Sequence, residues 1–102
     1  MWYDGIFESL LALRDEKRAP QMSAYMRNQF PFLGIASAPR KAAYKKIFAT
    51  AKKEKIVDFD FVDQCFKREE REFQYAGVDY LLAIQDCLVP ENLPKLKIEL
   101  RA

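Results

Sequence analysis

Histidine is absent from this 102-residue chain. That removes the commonest metal ligand and the side chain that most often serves as a general base near neutral pH. Cysteine is scarce: Cys65 and Cys87 alone make no disulfide framework, and neither spacing nor neighbours suggest a metal site. Both lie among apolar residues at helical spacing, which reads as small core hydrophobes in a reducing compartment. Glycine and proline are few, three and five residues, so the chain is composed as a folded globule rather than a disordered one. No apolar run approaches the ~20 residues of a membrane span, and the N-terminus lacks a signal peptide's basic-then-apolar order. The expectations are no membrane, a cytoplasmic location, no metal, no cofactor and one domain.

What is present is unevenly charged. The formal net charge is only +2, yet it divides sharply along the chain. Residues 1–36 are balanced, with four cations and four anions. Residues 37–55 carry Arg40, Lys41, Lys45, Lys46, Lys52, Lys53 and Lys55 against Glu54 alone, a net of +6. Residues 56–102 return a net of −4, from six cations and ten anions. A concentrated basic segment attracts polyanions even in a nearly neutral chain.

The apolar periodicity is helical nearly throughout. Ile6, Phe7, Leu10, Leu11 and Leu13 predict a first helix, ending in the charged stretch Arg14 to Arg18. A short second helix is predicted from about Pro20 to Gln29. The third, about Ala38 to Lys55, has Tyr44, Ile47, Phe48 and Ala51 as its core stripe. Lys41, Lys45 and Lys52 fall along one flank of that stripe, with Lys46 and Lys53 further round. Asp58 or Asp60 is placed to cap a fourth helix, whose Phe59, Val62, Cys65 and Phe66 share a face. A fifth, about Glu69 to Leu88, shows two apolar stripes: Phe73, Ala76, Gly77, Tyr80, Leu81, Ile84 and Leu88, and opposite them Tyr75, Val78 and Leu82. Two stripes predict a helix sandwiched between neighbours. Pro90 opens a sixth helix with Leu93, Leu96 and Leu100 in register, and alternation from Leu96 to Leu100 keeps a strand as the lesser alternative there. The expected fold is all-α, about six helices stacked as antiparallel hairpins, with a simple helical bundle as competitor.

Between the second and third helices lies a well-specified corner. Phe30 precedes Pro31 and is pushed out of the helical region. Gly34 permits a backbone angle that a Cβ would resist. Ser37 is placed to cap the third helix, with Pro39 in its first turn.

This corner, Tyr25-Met26-Arg27-Asn28-Gln29-Phe30-Pro31-Phe32-Leu33-Gly34-Ile35 followed by Ala38-Pro39-Arg40, resembles the N-terminal signature of the AlkD-type DNA alkylation repair family. Arg71-Glu72-Phe73-Gln74-Tyr75, with Asp79-Tyr80-Leu81 beyond it, resembles a second signature of the same family. Together they span the chain from about residue 15 onward. The resemblance implies a solenoid of HEAT-like repeats, and a DNA glycosylase activity that hydrolyses the N-glycosidic bond of 3- and 7-alkylated purines. The partner it implies is double-stranded DNA carrying such purines. Whole family members are longer, and their tryptophan- and aspartate-containing catalytic segment follows the region resembled here. Trp2 lies at the wrong end to stand in for it. The chain is therefore expected to be the N-terminal part of a longer domain, residues 1–102 forming one helical unit, with no catalytic residue of its own. An uncapped last helix at Ala102 agrees with that expectation and predicts self-association through the last two helices.

On this reading the DNA-binding candidates are Tyr25, Arg27, Arg40, Lys41, Lys45, Lys46, Lys52 and Lys53. Cations spaced by helical turns can each neutralise a phosphate, or they can simply solvate a surface helix. Tyr25 matches an aromatic that the family places near the lesion, where its ring face would meet a cationic base; packing on Phe30 or Met22 is its alternative. Arg27 could bind phosphate or close the helix end. Glu72, Asp79 and Asp86 recur every seven residues, and read as a polar face or as ion pairs with Arg71 and its neighbours. Of the three, Asp79 is expected to be the buried one. The competing function is a non-catalytic helical-repeat module that binds DNA or protein.

Overall fold

In the computed structural model, which describes residues 1–27, 30–89 and 91, the helical periodicity resolves into five α-helices. These are α1 (Ile6–Ala12), α2 (Arg18–Tyr25), α3 (Ser37–Lys53), α4 (Phe59–Lys67) and α5 (Arg71–Ala83), followed by a 3-10 turn at Gln85–Cys87. The described residues contain no strand, so the chain is all-α as the periodicity requires. The predicted sixth helix, the strand alternative at 96–100 and half of the expected self-association surface fall on residues 90 and 92–102, outside the described residues.

Packing is organised around α5, which lies against α4, α3 and α1. Its first apolar stripe meets all of them: Phe73, Ala76, Tyr80 and Ile84 are fully buried. Gly77 brings α4 close, because a Cβ there would stand 3.1 Å from the Cβ of Cys65. The second stripe behaves differently. Tyr75 and Val78 are only half-buried and Leu82 is exposed, so no described helix covers that side of α5. Its residues line clefts instead, as shown below.

The core is largely aromatic. The Phe61 ring lies 4.9–5.1 Å from those of Trp2, Tyr3 and Tyr80 by centroid, in edge and tilted arrangements that suit the ring quadrupoles. Polar tips are satisfied locally. Tyr80 donates its hydroxyl to the Ile56 carbonyl and accepts the Asp58 N–H, at 2.7 and 2.8 Å. Of the two candidates, Asp58 and Asp60, it is Asp58 that caps α4: one carboxylate oxygen accepts the Phe61 N–H at 3.1 Å, while the other accepts the Trp2 indole N–H at 2.8 Å. One residue thus starts a helix and pins the N-terminal segment to the core.

Three local expectations are corrected. Helix α2 begins at Arg18, ahead of Pro20, because Asp15 Oδ1 accepts the N–H groups of Lys17 and Arg18 and so supplies the cap from within the charged stretch. It ends at Tyr25, since Arg27 turns into the left-handed region with φ 57° before Pro31 is reached. Ser37 is the first residue of α3 rather than its cap; the cap position is Ala36, whose extended backbone offers no side-chain acceptor. Helix α5 closes at Ala83, and the chain tightens into a 3-10 turn instead of running on to Leu88.

Candidate nucleic-acid interface

The end of the corner that leads into α3 is held from two directions by hydrogen bonds to its backbone. Asp15 N–H donates to the Leu33 carbonyl at 2.8 Å. From the other side, the Glu72 carboxylate accepts the N–H groups of Leu33, Gly34 and Ile35 at 2.8, 2.9 and 3.1 Å. Glu72 is completely buried, whereas the Asp79 side chain keeps about 23 % of its exposure. The expected order of burial is therefore reversed, and Glu72 pairs with backbone rather than with Arg71. A carboxylate accepting several backbone N–H groups has its lone pairs matched without a counter-cation. Gly34 sits at φ 93°, with the Asp15 carbonyl where its Cβ would be.

This clamp fixes the direction in which α2 leaves the core, and with it Tyr25. The tyrosine is 87 % exposed, so the alternative of a core tyrosine is not what the structure holds. Its ring forms one wall of a cleft of about 520 Å3 shared with Arg18, Gln21, Met22, Met26, Phe32, Ala36 and Tyr75. A second cleft of about 320 Å3 also has Tyr75 in its lining, together with Arg40, Phe66, Arg71, Gln74, Val78 and Asp79. A third, of about 570 Å3, begins at Asp79 and runs between α3 and α5 past Lys41, Lys45, Lys52 and Leu82. Tyr75 lines the first two clefts and Asp79 the second and third, so the three adjoin one another in a chain of clefts, or trough, beside α5. Tyr25 stands at one end and three lysines at the other.

The sequence candidates therefore divide. Lys41, Lys45 and Lys52 share the trough as their flank position predicts. Lys52 also has Asp86 at 3.8 Å, an exposed pair of small energetic weight. Lys46 and Lys53 are exposed on α3 but line none of the three clefts. Arg27 is exposed just beyond α2. Arg40 is the surprise: it is buried, not part of an exposed ridge. Its Nε donates to the Tyr44 hydroxyl at 3.1 Å, and Nη2 lies 3.6 Å from Asp79. The Tyr44 hydroxyl in turn donates to Asp79 in a short hydrogen bond. Burial first, then this bond to the carboxylate, pushes the Tyr44 phenol well above its usual range, so it remains a donor at neutral pH.

Tyr75 and Arg71 belong to the trough without being among the candidates. Tyr75 lines both of the first two clefts, and the guanidinium carbons of Arg40 and Arg71 lie 4.8 and 5.7 Å from its ring centroid. The available signal was the second apolar stripe of α5, which reads as packing surface until its lack of a cover is seen.

The described residues are thus all-α, with Tyr25 and Tyr75 lining one cleft and Lys41, Lys45 and Lys52 lining another. Residues 6–98 match the family described as DNA alkylation repair enzyme, and the chain belongs to that family. No curated protein matches it. Membership gives the chain a role in DNA alkylation repair and makes DNA its expected partner. No described helix is long and apolar enough to cross a membrane.

Proposed function

We propose that this chain supplies part of the duplex-binding surface of a HEAT-like-repeat alkylpurine DNA glycosylase, and that the trough beside α5 is that surface. The observation that supports the reading is the sharing of Tyr75 and Asp79 between adjoining clefts, which links the cleft of Tyr25 to that of Lys41, Lys45 and Lys52. The lysines neutralise backbone phosphates without reading sequence. Tyr25 offers the ring face that a cationic purine or its deoxyribose would meet. Arg27, Lys46 and Lys53 extend the positive field beyond the trough.

Hydrolysis of a cationic N-alkylpurine needs little activation of the leaving group. The protein's task is to hold the nucleotide and to stabilise the charge left on the sugar. The carboxylate that lines the clefts, Asp79, is committed to Tyr44 and Arg40, and the buried Glu72 to three backbone N–H groups. Neither is assigned that second role, and no catalytic residue is assigned among the described residues. Two assays on this chain test the reading. Duplex DNA containing 7-methylguanine is expected to bind, with affinity falling steeply as salt rises, and no free base is expected to appear. Release of 7-methylguanine would overturn the assignment of catalysis outside these residues; salt-independent binding would overturn the phosphate contacts.

A further inference from the structure

We propose that the cleft between Arg40 and Arg71, beside Tyr75, is a seat for one phosphodiester of the DNA backbone, with Arg71 as its principal ligand. The proposal rests on the trough being the DNA face, and adds to it a residue and a position that neither charge patterning nor the lysine row provides.

Arg71 is an arginine without an acid. No carboxylate among the described residues lies within ion-pair distance of it, although Glu70 and Glu72 are its neighbours in sequence. Its Nη1 donates to Gln74 Oε1. Its Nε is buried with no acceptor, and Nη2 makes no hydrogen bond among the described residues. Nε–H and Nη2 form one edge of the planar fork, the edge that takes two oxygens of a phosphate bidentately once the guanidinium shifts to turn its covered Nε–H toward the cleft. A buried donor left without a partner is costly, so an occupant that fills this edge is favoured.

The fork is also aimed. The guanidinium carbon stands 4.2 Å from the Phe30 ring centroid and 5.7 Å from that of Tyr75, so two aromatic faces fix its plane. The Arg71 N–H donates to the Pro31 carbonyl at 2.9 Å, tying the residue to the corner. Arg40 lines the same cleft, its guanidinium carbon 4.8 Å from the Tyr75 ring centroid. The carboxylate in the cleft wall is that of Asp79, and it is already engaged by Tyr44 and Arg40. The cleft therefore holds two guanidinium groups and one carboxylate, a positive balance suited to a single phosphate. Its volume of about 320 Å3 leaves room for one such group between Arg71 and Gln74.

The test uses this chain with a short undamaged duplex, and reads the slope of log affinity against log salt for the wild type, Arg71→Gln and Arg71→Lys. Arg71→Gln is expected to lower the magnitude of the slope by about one, the share of a single neutralised phosphate. Arg71→Lys is expected to keep the slope but bind more weakly, because a point charge cannot form the fork. A slope unchanged in Arg71→Gln, in a protein whose thermal unfolding is also unchanged, overturns the seat. The trough reading survives that result if Lys45→Ala still lowers the slope, and fails separately if it does not. Should Arg71→Gln unfold, the wild type decides: the side-chain Nε–H resonance of Arg71 is expected to shift on adding duplex. If it responds to inorganic phosphate but not to duplex, the cleft takes free phosphate and the backbone assignment is wrong.

Discussion

The carboxylate of Glu72 accepts the backbone N–H of Gly34 at 2.9 Å, and this contact joins the start of α5 to the corner that follows Tyr25. Glu72 also holds the N–H groups of Leu33 and Ile35, so its removal orphans three donors at once. Replacing it with alanine is expected to cost about 3 kcal/mol or more, since each unsatisfied buried donor costs on the order of 1–3 kcal/mol. Glu72→Gln keeps one acceptor but turns an amide N–H2 toward backbone N–H groups, and should recover only part of the loss. Chemical denaturation of both variants checks the order; equal stability of Glu72→Ala and the wild type would show that the clamp contributes nothing.

Gly34 is constrained from the other side. A Cβ at this position would lie 2.2 Å from the Asp15 carbonyl oxygen and 2.8 Å from the Ala19 nitrogen, both backbone atoms. Its φ of 93° is also unfavourable for any L residue. Gly34→Ala is therefore expected to destabilise the fold by several kcal/mol and to loosen α2, on the scale of other backbone incompatibilities. Amide hydrogen exchange should show the loss concentrated in α2 and the corner. Uniform protection matching the wild type would contradict the packing described here.

Asp58 predicts a smaller and differently placed effect. Asp58→Ala removes the cap of α4 and the acceptor for the Trp2 indole. The cap alone contributes about 1 kcal/mol, and the fluorescence of Trp2, the sole tryptophan, should report its release from the core. Asp60→Ala, which removes an exposed first-turn residue that makes no cap bond, is the control and should leave that spectrum unchanged.

Stability should decline on the alkaline side. Burial pushes the Cys65 thiol up from 9.0 to about 12 and the Tyr80 phenol up from 10.0 to about 12. Tyr44 moves in the same direction. Each group keeps its proton to higher pH in the folded chain than in the unfolded one. Their contribution is complete below the unfolded values and is lost as pH rises toward the folded ones. Denaturant midpoints should hold steady up to about pH 9 and fall beyond it, and Cys65→Ala should delay the first part of the fall. A midpoint that rises between the two values would reverse the sign of the argument.

Much of the fold was legible because it follows from period and local chemistry. The stripe of Tyr44, Ile47, Phe48 and Ala51 on α3 and the glycine in the corner followed from residue type and spacing, and the cap of α4 was narrowed to Asp58 or Asp60. The lysine flank was legible for the same reason: positions 41, 45 and 52 are fixed on one side of α3 by helical geometry alone. Long-range partners were not. Nothing in the spacing of Glu72 and Asp79 says that the first meets a loop 38 positions earlier, at Gly34, while the second meets Tyr44 and Arg40. Arg40 has the sequence context of a surface cation and becomes an inner one only because Asp79 and Tyr75 stand opposite it. The second stripe of α5 was visible as apolar residues, but whether such a stripe is covered or lines an open cleft is decided by neighbours that periodicity does not describe.

The most direct test of the central claim is the salt dependence of duplex binding with Lys41, Lys45 and Lys52 changed together to alanine. If these three line a DNA-binding trough, the slope of log affinity against log salt should fall in magnitude by about 2.7, or roughly 0.9 for each phosphate that is no longer neutralised. Changing Lys55, which lies beyond the end of α3 and lines none of the three clefts, should alter the slope far less. A triple variant that remains folded and binds duplex DNA with the wild-type slope would contradict the account.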